Sequence, residues 1–115
     1  MVIYIAGPYG RRRGLSLEDR LDNVGVSLAY ARSIIKRGHV PLVPVLYHYV
    51  HEGWYESPDE NYWLEMFLKL IERCDAVFRI PLESEGADRE VEYALEREMK
   101  VFYSMEEVPL RNVSR

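Results

Sequence analysis

The sequence of 115 residues lacks three features that would assign it to a special class of protein. No apolar run approaches the roughly 20 residues that a membrane-spanning helix needs, so we expect no membrane anchor. The first residues carry no basic leader, so we expect no signal peptide. A single cysteine, Cys74, excludes an internal disulfide, which favours a cytoplasmic location and a packing role for its side chain.

The chain also lacks an excess of positive charge. The 15 Lys and Arg residues are outnumbered by 19 Asp and Glu residues, which gives a formal net charge of −4. This balance argues against a protein that binds nucleic acid polymers through bulk charge. With 48% hydrophobic and 30% charged residues the chain can form a core, which excludes disordered and fibrous proteins. The length fits a single small domain, for which a homodimer is the expected assembly.

Familiar nucleotide and metal motifs are missing too. The loop after residue 6 has neither the G-x-G-x-x-G pattern of dinucleotide sites nor the Gly-Lys-Ser/Thr ending of a P-loop. His39, His48 and His51 lack a convincing metal-ligand spacing. We therefore expect no cofactor and no metal, and we interpret His48 as a structural or base-contacting residue.

The sequence does contain a regular alternation of strand and helix patterns. Strands are predicted at residues 2–6, within 40–46, at 75–80 and at 101–103, and the second is short and breaks up by Pro44. The first is an unbroken apolar run typical of a central strand, and the second lies near a sheet edge because its prolines remove hydrogen-bond donors. Helices are predicted to begin near Ser16, near Ser57 and at about residue 87. This alternation predicts a parallel α/β sheet with right-handed crossovers.

The loops after the first three strands are the expected place for a ligand. In open parallel sheets, ligands bind beyond the carboxyl ends of the strands. Residues 7–16, 44–57 and 81–86 should therefore converge on one rim. Residues 47–57 have no clear period and carry four aromatic residues and two histidines, so we predict a long functional loop there.

The segment after the third strand contains a candidate catalytic carboxylate. Helical spacing places Glu90 on the same face as the small residues Ala87 and Ala94, so its side chain is predicted to point inward. Desolvation would raise the pKa of such a carboxyl group, whereas a helix start favours its anion. The alternative is a surface residue in a charge-rich helix, as we interpret Asp88 and Glu92.

Other polar residues near these loops allow two interpretations. Arg11, Arg12 and Arg13 form either a solvated run or an anion-binding segment beyond the first strand. Ser84 and Gly86 either cap a helix or hold a phosphate at its start.

Four short segments, in this order, resemble one family. They are Ile3-Tyr4-Ile5-Ala6-Gly7-Pro8-Tyr9, Arg37-Gly38-His39-Val40-Pro41, Cys74-Asp75-Ala76, and Ser84-x-Gly86-Ala87-x-x-Glu90-Val91-Glu92. Together they resemble the nucleoside 2-deoxyribosyltransferase-like superfamily, and in particular a small branch similar to 2'-deoxynucleoside 5'-phosphate N-hydrolases. The resemblance covers residues 1–109 as one domain, with residues 110–115 as a C-terminal tail. It implies a single-domain, flavodoxin-like, doubly wound parallel sheet of four to five strands, usually dimeric.

The resemblance also implies roles for single residues. Glu90 matches the glutamate that attacks the anomeric carbon, and Tyr4 matches the tyrosine that orients it. The residues that match those holding the 5' end of the sugar or its phosphate are Gly7, Pro8, Tyr9, Gly10 and Ser84, with Arg11 as an additional candidate. Where related enzymes carry an aspartate on the second helix, this chain has Phe67. Protonation of the leaving base would then depend on His48, on Asp88, on a neighbouring subunit, or on no group at all.

Residues and resemblance together predict a cytoplasmic, metal-free, homodimeric N-glycosidase or deoxyribosyltransferase. Its substrate would be a small-molecule 2'-deoxynucleoside or its 5'-monophosphate, with no nucleic acid polymer and no membrane as partner. The arginines of the first loop and Ser84 favour the monophosphate and hydrolysis. The alternative is a nucleotide-binding or sensing module that has the same fold and no activity, which the absence of the helix-two aspartate supports. A signalling domain of the same fold ranks last.

Overall fold

The computed structural model describes residues 1–10 and 14–111. Within these residues, four parallel strands form one sheet in the order β2-β1-β3-β4. The strands are β1 (Val2–Ala6), β2 (Val40–Leu42), β3 (Ala76–Arg79) and β4 (Lys100–Phe102). The α-helices are α1 (Leu17–Lys36), α2 (His48–His51), α3 (Glu60–Ile71) and α4 (Glu85–Glu96). Short 3-10 helices cover Pro44–Tyr47 and Met105–Glu107. This arrangement confirms the predicted flavodoxin-like α/β fold.

The two faces of the sheet form two hydrophobic clusters, because side chains along a strand alternate between faces. Ile3 and Ile5 of β1 face the cluster beneath α1, which includes Ile34, Phe78 and Phe102. Tyr4 and Ala6 face the opposite cluster, where α3 and α4 cover the sheet. Tyr4 therefore lies directly beneath the helix that carries Glu90. Cys74 packs at the edge of this second cluster, in agreement with its expected packing role.

The edge position predicted for the proline-containing strand is confirmed. β2 pairs with β1 alone within the described sheet, and Pro41 lies opposite Ile3 in the register. A proline has no backbone N–H to donate, so it is tolerated in a strand that has no partner on its other side.

Two local predictions are wrong in detail. The predicted loop at residues 47–57 contains α2, which follows a 3-10 turn that begins at Pro44. Helix α3 begins at Glu60 with Asp59 as its cap, two residues after the predicted cap Ser57, because Asp59 accepts a hydrogen bond from Tyr62 N at 2.9 Å. Ser57 instead accepts a hydrogen bond from the Trp63 indole at 3.3 Å.

The two ends of the described chain meet beside β2. The His39 imidazole lies 3.0 Å from the Met1 amine and 2.6 Å from the Pro109 carbonyl oxygen. Arg111 N donates to Arg37 O at 3.0 Å, while residues 112–115 of the predicted tail lie outside the described residues. Among the helices described, none is both long and apolar enough to cross a membrane.

Candidate functional site

A cavity of about 430 Å³ opens at the carboxyl ends of β1, β2 and β3. The three loops that follow these strands meet there, as predicted for a parallel sheet. Its volume lies in the range of sites for small organic ligands. The lining residues are Gly7, Pro8, Tyr9, Gly10, Leu15, Asn23, Pro44, Val45, Tyr47, His48, His51, Glu60, Trp63, Leu64, Phe67, Leu82, Glu83, Ser84, Glu85, Gly86, Ala87 and Glu90.

A buried pair of polar side chains, Tyr4 and Glu90, includes the carboxylate that lines the cavity. Tyr4, in the middle of β1, is fully buried, and its hydroxyl donates a hydrogen bond to Glu90 Oε2. Glu90 is 6% exposed and lines the cavity, with Ala87 and Ala94 on the same buried face of α4. The small side chains leave room for the carboxylate, so Glu90 points inward as its helical spacing predicted, and the alternative of a surface residue is wrong.

Burial dominates the titration of this pair. It raises the pKa of Glu90 to about 8, against the lowering effects of the Tyr4 hydrogen bond and the Arg79 charge. Burial also raises the pKa of Tyr4 well above its ordinary range, and the negative charge of Glu90 adds to that rise. Tyr4 therefore remains a hydrogen-bond donor, while Glu90 changes from the protonated to the anionic form at about pH 8.

Two glycines allow the first loop to approach the cavity. A Cβ on Gly7 would lie 2.6 Å from Ile80 Cδ1, and a Cβ on Gly10 would lie 2.2 Å from Leu15 Cδ1. Gly10 also has a φ of 102°, a conformation that favours glycine. Gly7, Pro8, Tyr9 and Gly10 all line the cavity. Arg11, which was also predicted for this loop, lies outside the described residues.

The N-terminus of α4 opens onto the same cavity. Ser84 Oγ accepts a hydrogen bond from Ala87 N at 3.1 Å, so the capping interpretation of Ser84 is correct. Capping uses an acceptor site of Oγ and leaves the hydroxyl hydrogen as a donor. Ser84 and Gly86 both line the cavity, and phosphate binding by these residues remains a prediction.

A cluster of aromatic and imidazole rings forms the wall next to α2. The Tyr9 hydroxyl is hydrogen-bonded to His48 Nδ1 and lies 3.0 Å from His51 Nε2. Both imidazoles are buried and line the cavity. Sequence reasoning selected His48 but not His51, because a segment without a period gave no reason to place the two side by side. The three-residue step becomes one face only when residues 48–51 form a helix.

The same short helix revises the argument about metal spacing. Ligand atoms of His48, His51 and Glu52 lie within 4.8 Å of one another, a grouping that could hold a cation. The Tyr9 hydroxyl already contacts both imidazoles, and Arg20 Nη1 lies 3.4 Å from Glu52 Oε2. The arginine supplies positive charge at this position, so the negative charge of Glu52 is balanced by a side chain of the protein.

The wall formed by α3 is mainly aromatic. Phe67, at the position where related enzymes were expected to carry an aspartate, lines the cavity beside Trp63, with ring centroids 6.1 Å apart. Glu60 also lines the cavity, two helical turns before Phe67 and on the same face of α3. All four charged side chains in the described lining are acidic: Glu60, Glu83, Glu85 and Glu90.

Asp88, one of the groups considered for protonation of a leaving base, does not line the cavity. Its side chain is 72% exposed and forms an ion pair of 2.9 Å with Arg79. Its interpretation as a solvated charge is therefore correct, and Asp88 is no candidate for a proton donor within the cavity.

Comparison with known proteins supports the fold. No protein-family model matches the chain, and a search of curated proteins finds no match. The 2-desoxiribosyltransferase from Leishmania mexicana, a solved structure, is similar in fold with a TM-score of 0.56 and 20% sequence identity. The match covers 87% of this chain, and the chain spans 61% of the length of that enzyme. At this identity the likeness shows a shared fold.

Proposed function

We propose that this protein cleaves the N-glycosidic bond of a 2'-deoxynucleoside or its 5'-monophosphate, with Glu90 as the nucleophile. The observation that carries the proposal is the buried hydrogen bond between Tyr4 and Glu90 at a cavity of small-molecule size. The fold shared with a 2-desoxiribosyltransferase supports it. So do the four sequence segments that resemble enzymes of this kind.

The chemistry suits a buried carboxylate. As the base departs, positive charge develops on the anomeric carbon and the ring oxygen, so an adjacent anion stabilises the transition state more than the ground state. A Glu90 oxygen forms a bond to C1', the C1'–N bond breaks, and its electron pair leaves with the base. The hydrogen bond that the Tyr4 hydroxyl donates to Glu90 fixes the orientation of the attacking carboxylate.

The covalent intermediate then passes its sugar to an acceptor. Water attacks C1', gives a proton to the His48 imidazole, and displaces the Glu90 carboxylate, which completes hydrolysis with retention of configuration. A second base in place of water would give exchange instead. We favour hydrolysis of the monophosphate, because Ser84, Gly86 and the start of α4 offer N–H and O–H donors at the cavity.

The leaving base needs a proton, and we assign its donation to His48. Among the protein groups considered from the sequence, His48 lines the cavity and Asp88 does not. The hydrogen bond between His48 Nδ1 and the Tyr9 hydroxyl fixes the ring. The proton passes from the imidazole to a ring nitrogen of the base as the C1'–N bond breaks.

A nucleotide-binding module without activity is the second candidate. It is favoured by Phe67, because an aromatic ring at this wall binds a base by stacking and cannot protonate it. Such a module would bind nucleotides and release no base.

The first experiment separates these candidates. The protein is incubated with a panel of 2'-deoxynucleosides and their 5'-monophosphates, with and without a free acceptor base, and released base is measured by chromatography. Glu90→Gln is expected to lower the rate at least about 100-fold, because an amide is not an anionic nucleophile. Glu92→Gln, an exposed change on the same helix, should leave the rate unchanged.

Each alternative outcome has a clear meaning. Thermal stabilisation by a nucleotide without any released base, in wild type and Glu90→Gln alike, would support the binding module. Full turnover by Glu90→Gln would contradict the assignment of Glu90 as nucleophile.

A further inference from the structure

Arg79 forms an unusual set of contacts at the end of β3. Its side chain is 12% exposed. Nη1 donates to the Ile80 carbonyl and, at 2.8 Å, to the Leu82 carbonyl. Nη2 lies 3.5 Å from Ser84 O and 2.9 Å from Asp88 Oδ1. One guanidinium thus contacts the end of a strand, the following loop and the first turn of a helix.

These contacts join three backbone carbonyl groups of the connection between β3 and α4 to a side chain in the first turn of α4. This connection supplies Leu82, Glu83 and Ser84 to the cavity wall, and Ser84 begins the helix that carries Glu90. The guanidinium donates hydrogen bonds to the Ile80 and Leu82 carbonyl groups of this connection. A planar group with five N–H donors suits this task, whereas a lysine ammonium presents a single point of charge.

The positive charge of Arg79 also acts on the Glu90 carboxyl group. The groups that act on Glu90 from the elements packed around it are the Tyr4 hydroxyl of β1 and the Arg79 guanidinium of β3. Both oppose the effect of burial and favour the carboxylate. Without Arg79, only the Tyr4 hydrogen bond would remain to do so.

We propose that Arg79 is a positioning residue, which holds the β3–α4 connection and the start of α4 so that Glu90 faces the cavity as a reactive carboxylate. This inference rests on the function proposed above. Arg79 itself does not line the cavity and need not touch the substrate. Its contribution is made through the loop carbonyls, through Asp88 and through its charge near Glu90.

The test compares Arg79→Met and Arg79→Lys with the matched control Arg89→Met, an exposed arginine of α4. Three quantities are measured: the pH profile of kcat/KM for base release, the NMR titration of the Glu90 carboxyl carbon, and amide hydrogen exchange at residues 82–84. The last two use the substrate-free protein, so they give a result whether or not base release is detected.

For Arg79→Met we expect a Glu90 titration at least about half a pH unit above wild type, since a favourable charge is lost. We expect exchange at residues 82–84 to be several-fold faster, and the loss of kcat/KM to be larger at about pH 7 than at about pH 9. In Arg79→Lys the pH at which Glu90 titrates should stay close to that of wild type, because the positive charge is kept. Amide exchange should still be faster, because lysine lacks the planar set of N–H donors of the guanidinium. Arg89→Met should match wild type in all three.

A folded Arg79→Met with wild-type titration and wild-type exchange would overturn the proposal. If Arg79→Met does not fold, Arg79→Lys decides, and wild-type exchange in that variant would overturn it. A protein without base release but with the expected titration and exchange changes would contradict the proposed function and leave the role of Arg79 supported.

Discussion

At the scale of single residues, the titration of Glu90 governs the proposed chemistry. Burial raises its pKa to about 8, so below that pH the carboxyl group is mainly protonated and cannot attack. Because the attacking form is the anion, kcat/KM for a 2'-deoxyriboside whose leaving group needs no protonation is expected to rise about tenfold per pH unit between about pH 6 and pH 7.5 and to level off above about pH 8.5. Initial rates of base release in constant-ionic-strength buffers measure this. A rate independent of pH over that range would contradict it.

The same shift has a consequence for stability that needs no substrate. Between about pH 4.5 and about pH 8 the folded state retains a proton on Glu90 that the unfolded chain has released. The free energy of unfolding should therefore fall as pH rises through this window, and the fall should be smaller in Glu90→Gln. Urea unfolding at several pH values provides this check on the direction of the pKa shift.

The site could be predicted from the sequence only where one element contains the whole signal. Helical spacing identifies the inward direction of Glu90, and the order of a serine and a following helix identifies the cap at Ser84. His51 was missed because it shares a face with His48 only when residues 48–51 form a helix, which the sequence did not predict. Arg79 was missed for a related reason, since its role arises from carbonyl groups of a turn that no side-chain pattern reveals.

At the scale of elements, the start of α3 shows how local chemistry decides between neighbouring caps. The sequence predicted a start near Ser57, and in the structure Asp59 accepts from the backbone while Ser57 accepts from the Trp63 indole. A serine-proline pair is a common helix start. Here the Ser57 hydroxyl accepts a hydrogen bond from the indole of Trp63, a residue of α3, and does not cap the helix. The predicted boundary was therefore wrong by two residues.

This assignment predicts a measurable difference in stability. Asp59→Ala should lower the free energy of unfolding by about 1 kcal/mol, because the N–H of Tyr62 loses its acceptor. Asp59→Asn keeps a capping oxygen and should lie within a few tenths of a kcal/mol of wild type. Chemical unfolding monitored by tryptophan fluorescence measures both. Equal losses in the two variants would contradict the capping role of Asp59.

Strand assignments were more accurate than those of the loops, for a physical reason. A central strand such as Val2–Ala6 must be apolar at every position because both of its faces are covered, and that pattern is visible in the sequence. Residues 47–57 contain aromatic residues and histidines whose helical or extended conformation depends on the rings that they meet. The helix at His48–His51 is only four residues long, too short for a periodic pattern.

At the scale of the whole molecule, the sheet order brings the site together. Because β1 lies between β2 and β3, the loops after all three strands meet at one rim. The alternation of elements predicted the parallel sheet, and the resemblance of four short segments predicted its flavodoxin-like order. The homodimer and the cytoplasmic location remain predictions, and sedimentation of the purified chain tests the first.

The most direct test of Glu90 as a nucleophile is to trap the sugar on it. A 2'-deoxynucleoside with fluorine at the 2' position slows release of the sugar, because the electron-withdrawing substituent destabilises the positive charge that develops at C1'. The protein is incubated with this compound, digested, and examined by tandem mass spectrometry. We expect a fluorodeoxyribosyl adduct on the peptide that contains Glu90, absent in Glu90→Gln. Release of base from the natural substrate, with no adduct on Glu90, would contradict the covalent mechanism.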